Sequence, residues 1–381
     1  MEIAILGFGT VGSGVYDIIS NNKSLDIEVS HVFSRPGRFT TGIRLTENID
    51  EIISDSKVDC IIETMGGLHP SYEYIVKALR HGKHVVTANK EVVAEHFLEF
   101  HFLAQKHGVK FRYEASVGGG IPWIHNLYQT LRSDTITSIQ GIFNGTSNFI
   151  LDKMTHEKLE FEEVLMIAQD LGYAERDPKN DIDGYDVQSK ILISSNIAYQ
   201  TTIKRDDILR LSMRNITKKD IEYFNSKDRM LKYIGESESY DGLFESSVML
   251  HVLDSSDIKA SVRNNNNIGV LHGEIVGELA FFGQGAGKYP TAHSIVQDIL
   301  SIKENTYEVS YKFNNSLKVK SQKKSTYVIR STKEIGTKYL LKKDKEYQFT
   351  REINLSMLRD LLMELDDDKA VVFKGVGACI C

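Results

Sequence analysis

The sequence predicts an α/β fold: a doubly wound parallel sheet first, an α+β domain after it, and a small C-terminal α/β module. Three observations carry that prediction. Short apolar runs alternate with helical segments from the first residues to about Val117. A glycine-rich turn separates the first run from the first helix. The pattern then changes at Gly118, and again beyond about Asn305, where Lys, Ser and Asn become frequent.

Taken in order, Ile3–Leu6 reads as a strand, followed by the glycine turn and a helix through about Ser20. Glu28–Phe33, Val58–Glu63, Lys83–Thr87 and Val109–Tyr113 read as further strands, with helices Ser71–Gly82 and Glu91–Gly108 between them. Repeated strand–helix–strand units imply parallel pairing with right-handed crossovers. Next come a helix over Ile121–Leu131, an apolar stretch at Ile136–Phe143, and helices over Phe161–Leu171 and Asp183–Tyr199. Glu245–Leu253 and Ile268–Phe282 are strand-like, and FGQGAGKYP precedes a helix over Thr291–Ile302 that returns to the first domain. Strand Thr326–Ile329, helix Leu355–Leu365 and strand Ala370–Phe373 form the last module. The expected domains are therefore 1–117, 118–282, a returning segment 283–305, and an atypical, regulatory module at 306–381.

Composition narrows the function class. Hydrophobic residues make up 41% and charged residues 26% of 381 residues, ordinary for a globular protein. The net charge of -6 and the lack of a basic block interleaved with aromatics exclude a nucleic-acid footprint. No apolar run approaches the roughly 20 residues that span a bilayer. Met1 leads straight into a strand without a signal pattern, so the expected compartment is the cytoplasm. Three cysteines are too few for a disulfide framework; Cys60 lies in an apolar strand, and Cys379 and Cys381 alone make a weak metal site.

Gly7, Gly9 and Gly12 form GxGxxG between a strand and a helix. The first permits a tight turn, the second lets the backbone approach a diphosphate, and the third lets helix and strand pack closely. Phosphate then lies at the helix N-terminus, where free N–H groups and the macrodipole favour negative charge. Gly7, Phe8, Gly9, Thr10, Val11 and Gly12 are thus the expected cofactor turn of a Rossmann-type domain. An acid that would bind a ribose 2′-hydroxyl is missing after the second strand, where Ser34, Arg35 and Arg38 stand instead. That substitution favours NADP over NAD.

The run from Glu175 through Asp177, Asp181, Asp183 and Asp186 ends in Lys190. Such a loop can hold the ammonium of a small amino acid and set one lysine beside its reacting carbon. Alone, Asp186 and Lys190 at i, i+4 have the spacing of a routine surface ion pair, and Asp183 that of a helix cap.

GFGTVGSGV, VVTANK, YEASVGGGIP, GIFNGTSNFI, LGYAERDP, DIDGYDVQSK and GQGAGKYPTA follow one another in this chain. In that order they resemble the homoserine dehydrogenase family over about residues 1–302. The resemblance implies interconversion of L-homoserine and L-aspartate 4-semialdehyde with a nicotinamide cofactor, by a homodimer formed through the second domain. Glu245–Leu253 and Ile268–Phe282 are the strands that would make that contact. It implies Lys190 as proton donor and acceptor, with Lys90 of VVTANK as the rival, near the nicotinamide. Glu175 and Asp186 match the carboxylates that hold the substrate amino group, Asp181 orients the site, and Asn144, Gly145 and Thr146 line the cleft. Gly285 falls on the cofactor side. The family's loop for a monovalent cation, usually sodium, maps onto Glu114, Val117, Gly119 and Ile121, an oxygen-only set suited to a hard cation.

Two departures stand out. Lys288-Tyr289 replaces smaller, apolar residues of the family, and residues 303–381 lack the pattern of its usual amino-acid-binding regulatory domain. A rival reading, aspartate-semialdehyde dehydrogenase, needs a cysteine nucleophile, and the only cysteine before residue 379 is expected in a buried strand. A rival of another class is a catalytically silent NADP-binding amino-acid sensor, which a turnover assay separates from an enzyme.

Overall fold

The computed structural model describes residues 1–34, 44–306 and 317–375. Arg35, Arg38, Cys379 and Cys381 lie outside them. The chain forms two compact units, Met1–Arg132 with Gly283–Phe313, and Ser133–Phe282 with Asn314–Cys381.

The first unit carries β1 (Glu2–Leu6), α1 (Thr10–Ser20), β2 (Glu28–Phe33), β3 (Arg44–Thr46), α2 (Ile49–Ser54), β4 (Val58–Glu63), α3 (Ser71–Arg80), β5 (His84–Thr87), α4 (Lys90–Lys106), β6 (Phe111–Arg112) and α5 (Trp123–Leu131). Its strands pair in parallel in the order β3-β2-β1-β4-β5-β6. The order reverses at β1, whose carboxyl end carries the glycine turn. In open sheets of this kind the ligand crevice opens there. Cys60 is fully buried in β4, and burial pushes its thiol well above the usual range.

The second unit begins with β7 (Ile136–Ile142), α6 (Gly145–Glu157), α7 (Phe161–Asp170), the single turn α8 (Lys179–Ile182) and α9 (Tyr185–Ala198). It continues through β8 (Ile208–Arg210), α10 (Lys218–Asn225), β9 (Arg229–Tyr240), β10 (Leu243–Asp254), β11 (Asn266–Gly273) and β12 (Gly277–Gln284). Helix α11 (Lys288–Glu304) belongs to the first unit, where it packs on α1. Ile295 and Ile299 of α11 join Val15, Ile19, Ile3 and Ile5 in one apolar core. The remaining elements, β13 (Lys318–Val319), β14 (Tyr327–Arg330), β15 (Leu340–Asp344), β16 (Tyr347–Thr350), α12 (Leu355–Leu365) and β17 (Val371–Lys374), return to the second unit.

Two expected boundaries are corrected. Residues 118–132 belong with the first unit, because Glu114 anchors the N-terminus of α5 there. Residues 318–375 are no separate module: β17, β14, β16 and β15 extend the second sheet in the order β12-β11-β7-β9-β10-β17-β14-β16-β15. One edge of β10 is taken by β9, and the other is shared by β13, β8 and β17 in turn. A buried ion pair between Glu236 of β9 and Lys374 of β17 ties the junction, and those charges hold the Glu236 carboxyl down at about 2 against the burial that would raise it.

Strands β9 and β10 meet in a two-residue turn, Asp241-Gly242, both at positive φ (49° and 73°). That is the mirror-image hairpin turn which matches strand twist.

Candidate active site

At the glycine turn, Gly7 has φ +90°, and a Cβ on Gly12 would lie 2.1 Å from the Gly7 carbonyl oxygen. Thr64 closes the turn from β4, donating its hydroxyl to the Gly7 carbonyl at 2.8 Å. A Cβ on Gly9 would meet nothing within 4 Å, and Gly9 as N-cap has no side chain to offer the first N–H groups of α1. Open space at a helix N-terminus is what a dinucleotide diphosphate requires. Phe8 is buried, Thr10 exposed and Val11 half-buried. Gly14 was not anticipated: a Cβ there would stand 2.9 Å from the Lys288 carbonyl oxygen, so its absence lets α1 and α11 cross closely. Lys288 also pairs with Asp17 of α1 at 2.7 Å.

Lys90 opens α4, half-buried, at the carboxyl end of β5. A cation there works against the helix macrodipole. Its position is set by a buried knot that sequence reading missed. Glu63 accepts hydrogen bonds from the Met65 N–H (2.7 Å), Ser71 (3.1 Å) and Thr87 (2.5 Å). Thr87 in turn accepts the Asn89 N–H at 3.0 Å. The signal was present: a lone glutamate ends the apolar strand VDCIIET. Ser34 follows β2, its N–H donating to the Thr46 carbonyl at 3.3 Å.

Helix α9 starts later than expected, at Tyr185, because Gly184 at φ +82° is its N-cap. Asp183 does not cap α9 but closes α8, its N–H donating to the Lys179 carbonyl at 3.1 Å, while its carboxylate takes the Arg214 guanidinium at 2.8 Å and the Ser212 hydroxyl at 2.7 Å. Every residue of α9 after Tyr185 is buried. Asp186 and Lys190 are only 5% and 8% exposed, so they are not a surface pair. Lys190 Nζ donates to Asp186 Oδ2 at 2.8 Å and to the Phe143 carbonyl at 2.6 Å. Asn144, which caps α6 by accepting the Ser147 N–H, donates its amide to both Asp186 (2.8 Å) and Asp181 (2.7 Å). Four expected residues thus converge: Asn144, Asp181, Asp186 and Lys190.

The others stand around them. Thr146 donates its hydroxyl to the Tyr173 carbonyl at 2.6 Å, which ties the LGYAE loop to α6. A Cβ on Gly145 would come within 2.8 Å of the Asn265 carbonyl. Glu175 is exposed, and among the described residues its carboxylate joins no hydrogen bond of the Asp186–Lys190 group. Asp177 lies exposed in a local turn, accepting the Lys179 N–H at 3.3 Å.

The loop Glu114–Ile121 is buried in the first unit. The two carboxylate oxygens of Glu114 accept the N–H groups of Ile124 (2.9 Å) and His125 (2.7 Å), capping α5. Burial, then the nearby Asp298, pushes the Glu114 carboxyl well above its usual range. The Gly119 carbonyl accepts the Ser294 hydroxyl at 2.7 Å and the Ile121 carbonyl the Trp123 N–H at 2.7 Å; Val117 is fully buried. Gly119, at φ +58°, lies against the loop of Gly285: a Cβ would stand 2.3 Å from the Gly285 carbonyl oxygen. Two motifs distant in sequence are therefore in contact. Among the described residues no group of three or more His, Cys, Asp or Glu side chains converges on a metal position. No helix there is long and apolar enough to cross a membrane.

Comparison with known proteins points to one family. The family description "Homoserine dehydrogenase, NAD binding domain" matches residues 7–114, and "Homoserine dehydrogenase" matches residues 122–300. The chain is 39% identical to a homoserine dehydrogenase of Lactococcus lactis over 317 residues, 79% of this chain and 74% of that one. It is 37% identical to that of Bacillus subtilis over 322 residues, 80% and 73% of the two chains. The crystal structure of a homoserine dehydrogenase from Thiobacillus denitrificans superposes with a TM-score of 0.86 at 26% identity, covering 99% of this chain and 98% of that one. A nicotinamide-dinucleotide turn, a buried lysine–carboxylate site and likeness along most of the sequence lead to one conclusion: this chain belongs to the homoserine dehydrogenase family.

Proposed function

We propose that the buried Asp186–Lys190 pair is the proton-transfer centre for interconverting L-homoserine and L-aspartate 4-semialdehyde. The single observation that carries this reading is the burial of both groups on α9, with Lys190 aimed at the Phe143 carbonyl and Asp186. In the oxidative direction the hydroxyl proton of homoserine passes to Lys190 Nζ as the C–H pair of electrons leaves as hydride. The nicotinamide cofactor supplies the hydride acceptor, and the donor in reverse. Asp186 fixes the lysine and, with Asp181 and Glu175, favours the substrate ammonium; Asn144 holds both aspartates, and Gly145 and Thr146 shape the cleft beside them. A general acid/base contributes typically about 10²–10⁴-fold to rate. Lys90 is the second candidate for that role.

Gly7–Gly12 and Gly285 hold the cofactor, and Ser34, Arg35 and Arg38 favour NADP over NAD. Glu114 with the carbonyls of Val117, Gly119 and Ile121 offers a hard monovalent cation, sodium by preference, an all-oxygen set; each carbonyl oxygen keeps a second lone pair. The enzyme acts as a cytoplasmic homodimer. Since β10 has neighbours on both edges, the β11–β12 hairpin is the better contact, with Ile275 80% and Phe282 62% exposed.

The deciding experiment is steady-state turnover in both directions with each cofactor, alongside Lys190→Ala and Lys90→Ala. Homoserine-dependent reduction of the cofactor that Lys190→Ala abolishes supports the reading. Absence of turnover in the wild type, or full kcat in Lys190→Ala, overturns it.

A further inference from the structure

The carboxyl ends of β1, β4 and β5 meet around a side chain that the proton transfer does not use. Glu63, the last residue of β4, is fully buried, in register with Leu6 of β1 on one side and Thr87 of β5 on the other. Its Oε1 accepts the N–H groups of Met65 (2.7 Å) and Gly66 (3.3 Å) and the Ser71 hydroxyl (3.1 Å). Its Oε2 accepts the Thr87 hydroxyl at 2.5 Å, and the Thr87 oxygen in turn accepts the Asn89 N–H at 3.0 Å. The groups that bond Glu63 are all donors and all neutral, a setting that favours the ionised acid. Removing a charge from water without an opposite charge is strongly destabilising. The three bonds to Oε1 would be served equally by a glutamine, so the charge itself is what the glutamate adds.

The place of that charge gives it a use. In sheets of this order the residue that reads the adenine ribose follows β2, which leaves the β4–β5 half of the crevice to the nicotinamide. Lys90 brings a cation to the same edge, next to Asn89, which caps α4 and is bonded through Thr87 to Glu63. A cation alone on that edge would disfavour an oxidised ring, which carries one positive charge that the reduced ring lacks. We propose that the buried Glu63 carboxylate offsets this and sets the relative affinity of the protein for the two oxidation states of its cofactor, in favour of the oxidised one. Charges act further through protein than through water, so the carboxylate needs no contact with the ring. A purely structural knot would move both affinities alike; a fixed charge separates them. The inference deepens the cofactor reading and rests on it.

The test uses the full chain. Dissociation constants of the oxidised and reduced cofactor, with and without the 2′-phosphate, are measured by calorimetry and fluorescence for the wild type, Glu63→Gln, Glu63→Asp and Thr87→Val. Glu63→Gln should weaken the oxidised form relative to the reduced one by about fivefold or more, a modest effect for a full charge acting through protein. Glu63→Asp keeps the charge and Thr87→Val removes only a hydroxyl, so each should leave the ratio of the two constants as in the wild type. The carbon-13 shift of the wild-type Glu63 carboxyl at neutral pH should be that of an ionised acid, a readout that needs no variant to fold. The proposal is overturned if Glu63→Gln shifts both constants equally, if Glu63→Asp or Thr87→Val moves the ratio as far as Glu63→Gln does, or if the wild-type carboxyl is neutral. Binding of neither form by the wild type would overturn the cofactor reading along with it, a result distinct from an unchanged ratio.

Discussion

At the scale of single residues, burial decides what a side chain is for. An exposed i, i+4 lysine–aspartate pair contributes only about 0.3–0.5 kcal/mol. Removing one partner from a buried pair costs about 3–5 kcal/mol. Lys190→Ala should therefore lower kcat at least about a hundredfold and also lower the melting temperature, which kinetics and calorimetry on the same preparation will test. Asp186→Asn keeps the shape and weakens a charged hydrogen bond, so kcat should fall and KM for homoserine rise, each about tenfold. His101 offers a pH test. It sits among Phe97, Phe111 and Tyr113, and burial lowers its pKa from 6.5 to about 3. Between those values the unfolded chain binds the proton and the folded chain does not, so stability rises with pH across this window and is lost as pH falls through it. His101→Phe should flatten that part of the stability profile by up to several kcal/mol, at about 1.4 kcal/mol per pKa unit. Urea unfolding from pH 7 down to the acid limit of folding measures it.

At the scale of elements, the cofactor turn and the helices around it depend on missing Cβ atoms. Gly12→Ala places a methyl 2.1 Å from the Gly7 carbonyl oxygen and 2.8 Å from Thr64 Oγ1. Neither atom can retreat without opening the turn, so overpacking of about 1–3 kcal/mol and a matching loss of cofactor affinity are expected. Fluorescence titration with NADPH reads this directly; unchanged affinity would separate the turn from the cofactor. Gly9→Ala meets open space and should leave stability almost unchanged while weakening binding, so the two variants together distinguish folding from recognition.

At the scale of the whole molecule, the C-terminal strands complete a sheet. β17 pairs with β10, and Lys374 neutralises the buried Glu236. Deleting residues from 318 onward should leave β10 with an edge covered only by β8, and Glu236 buried without its lysine counter-charge. The truncated chain is expected to be insoluble or to melt far below the full one, as circular dichroism would show; an active, stable core would contradict this.

The glycine turn, the alternation of the parallel sheet and the motif string around Lys190 were legible because each is local. GxGxxG constrains five backbone steps, and strand–helix alternation repeats within a few dozen residues. Strand β9 was missed because RMLKYIGESESY carries charges on both faces, and Lys232 and Glu236 are buried only through partners far away in sequence. The Asp241-Gly242 pair before the next apolar run was the available signal, since it specifies a hairpin turn. By itself the sequence determined the cofactor-binding fold, the family and the motifs that carry Asn144, Asp181, Asp186 and Lys190. Only the tertiary structure decided that Asp186 and Lys190 are buried, that Asp183 belongs to Arg214, and that the last strands join the second sheet. Those are matters of which distant groups share a low-dielectric space, and no local pattern encodes that.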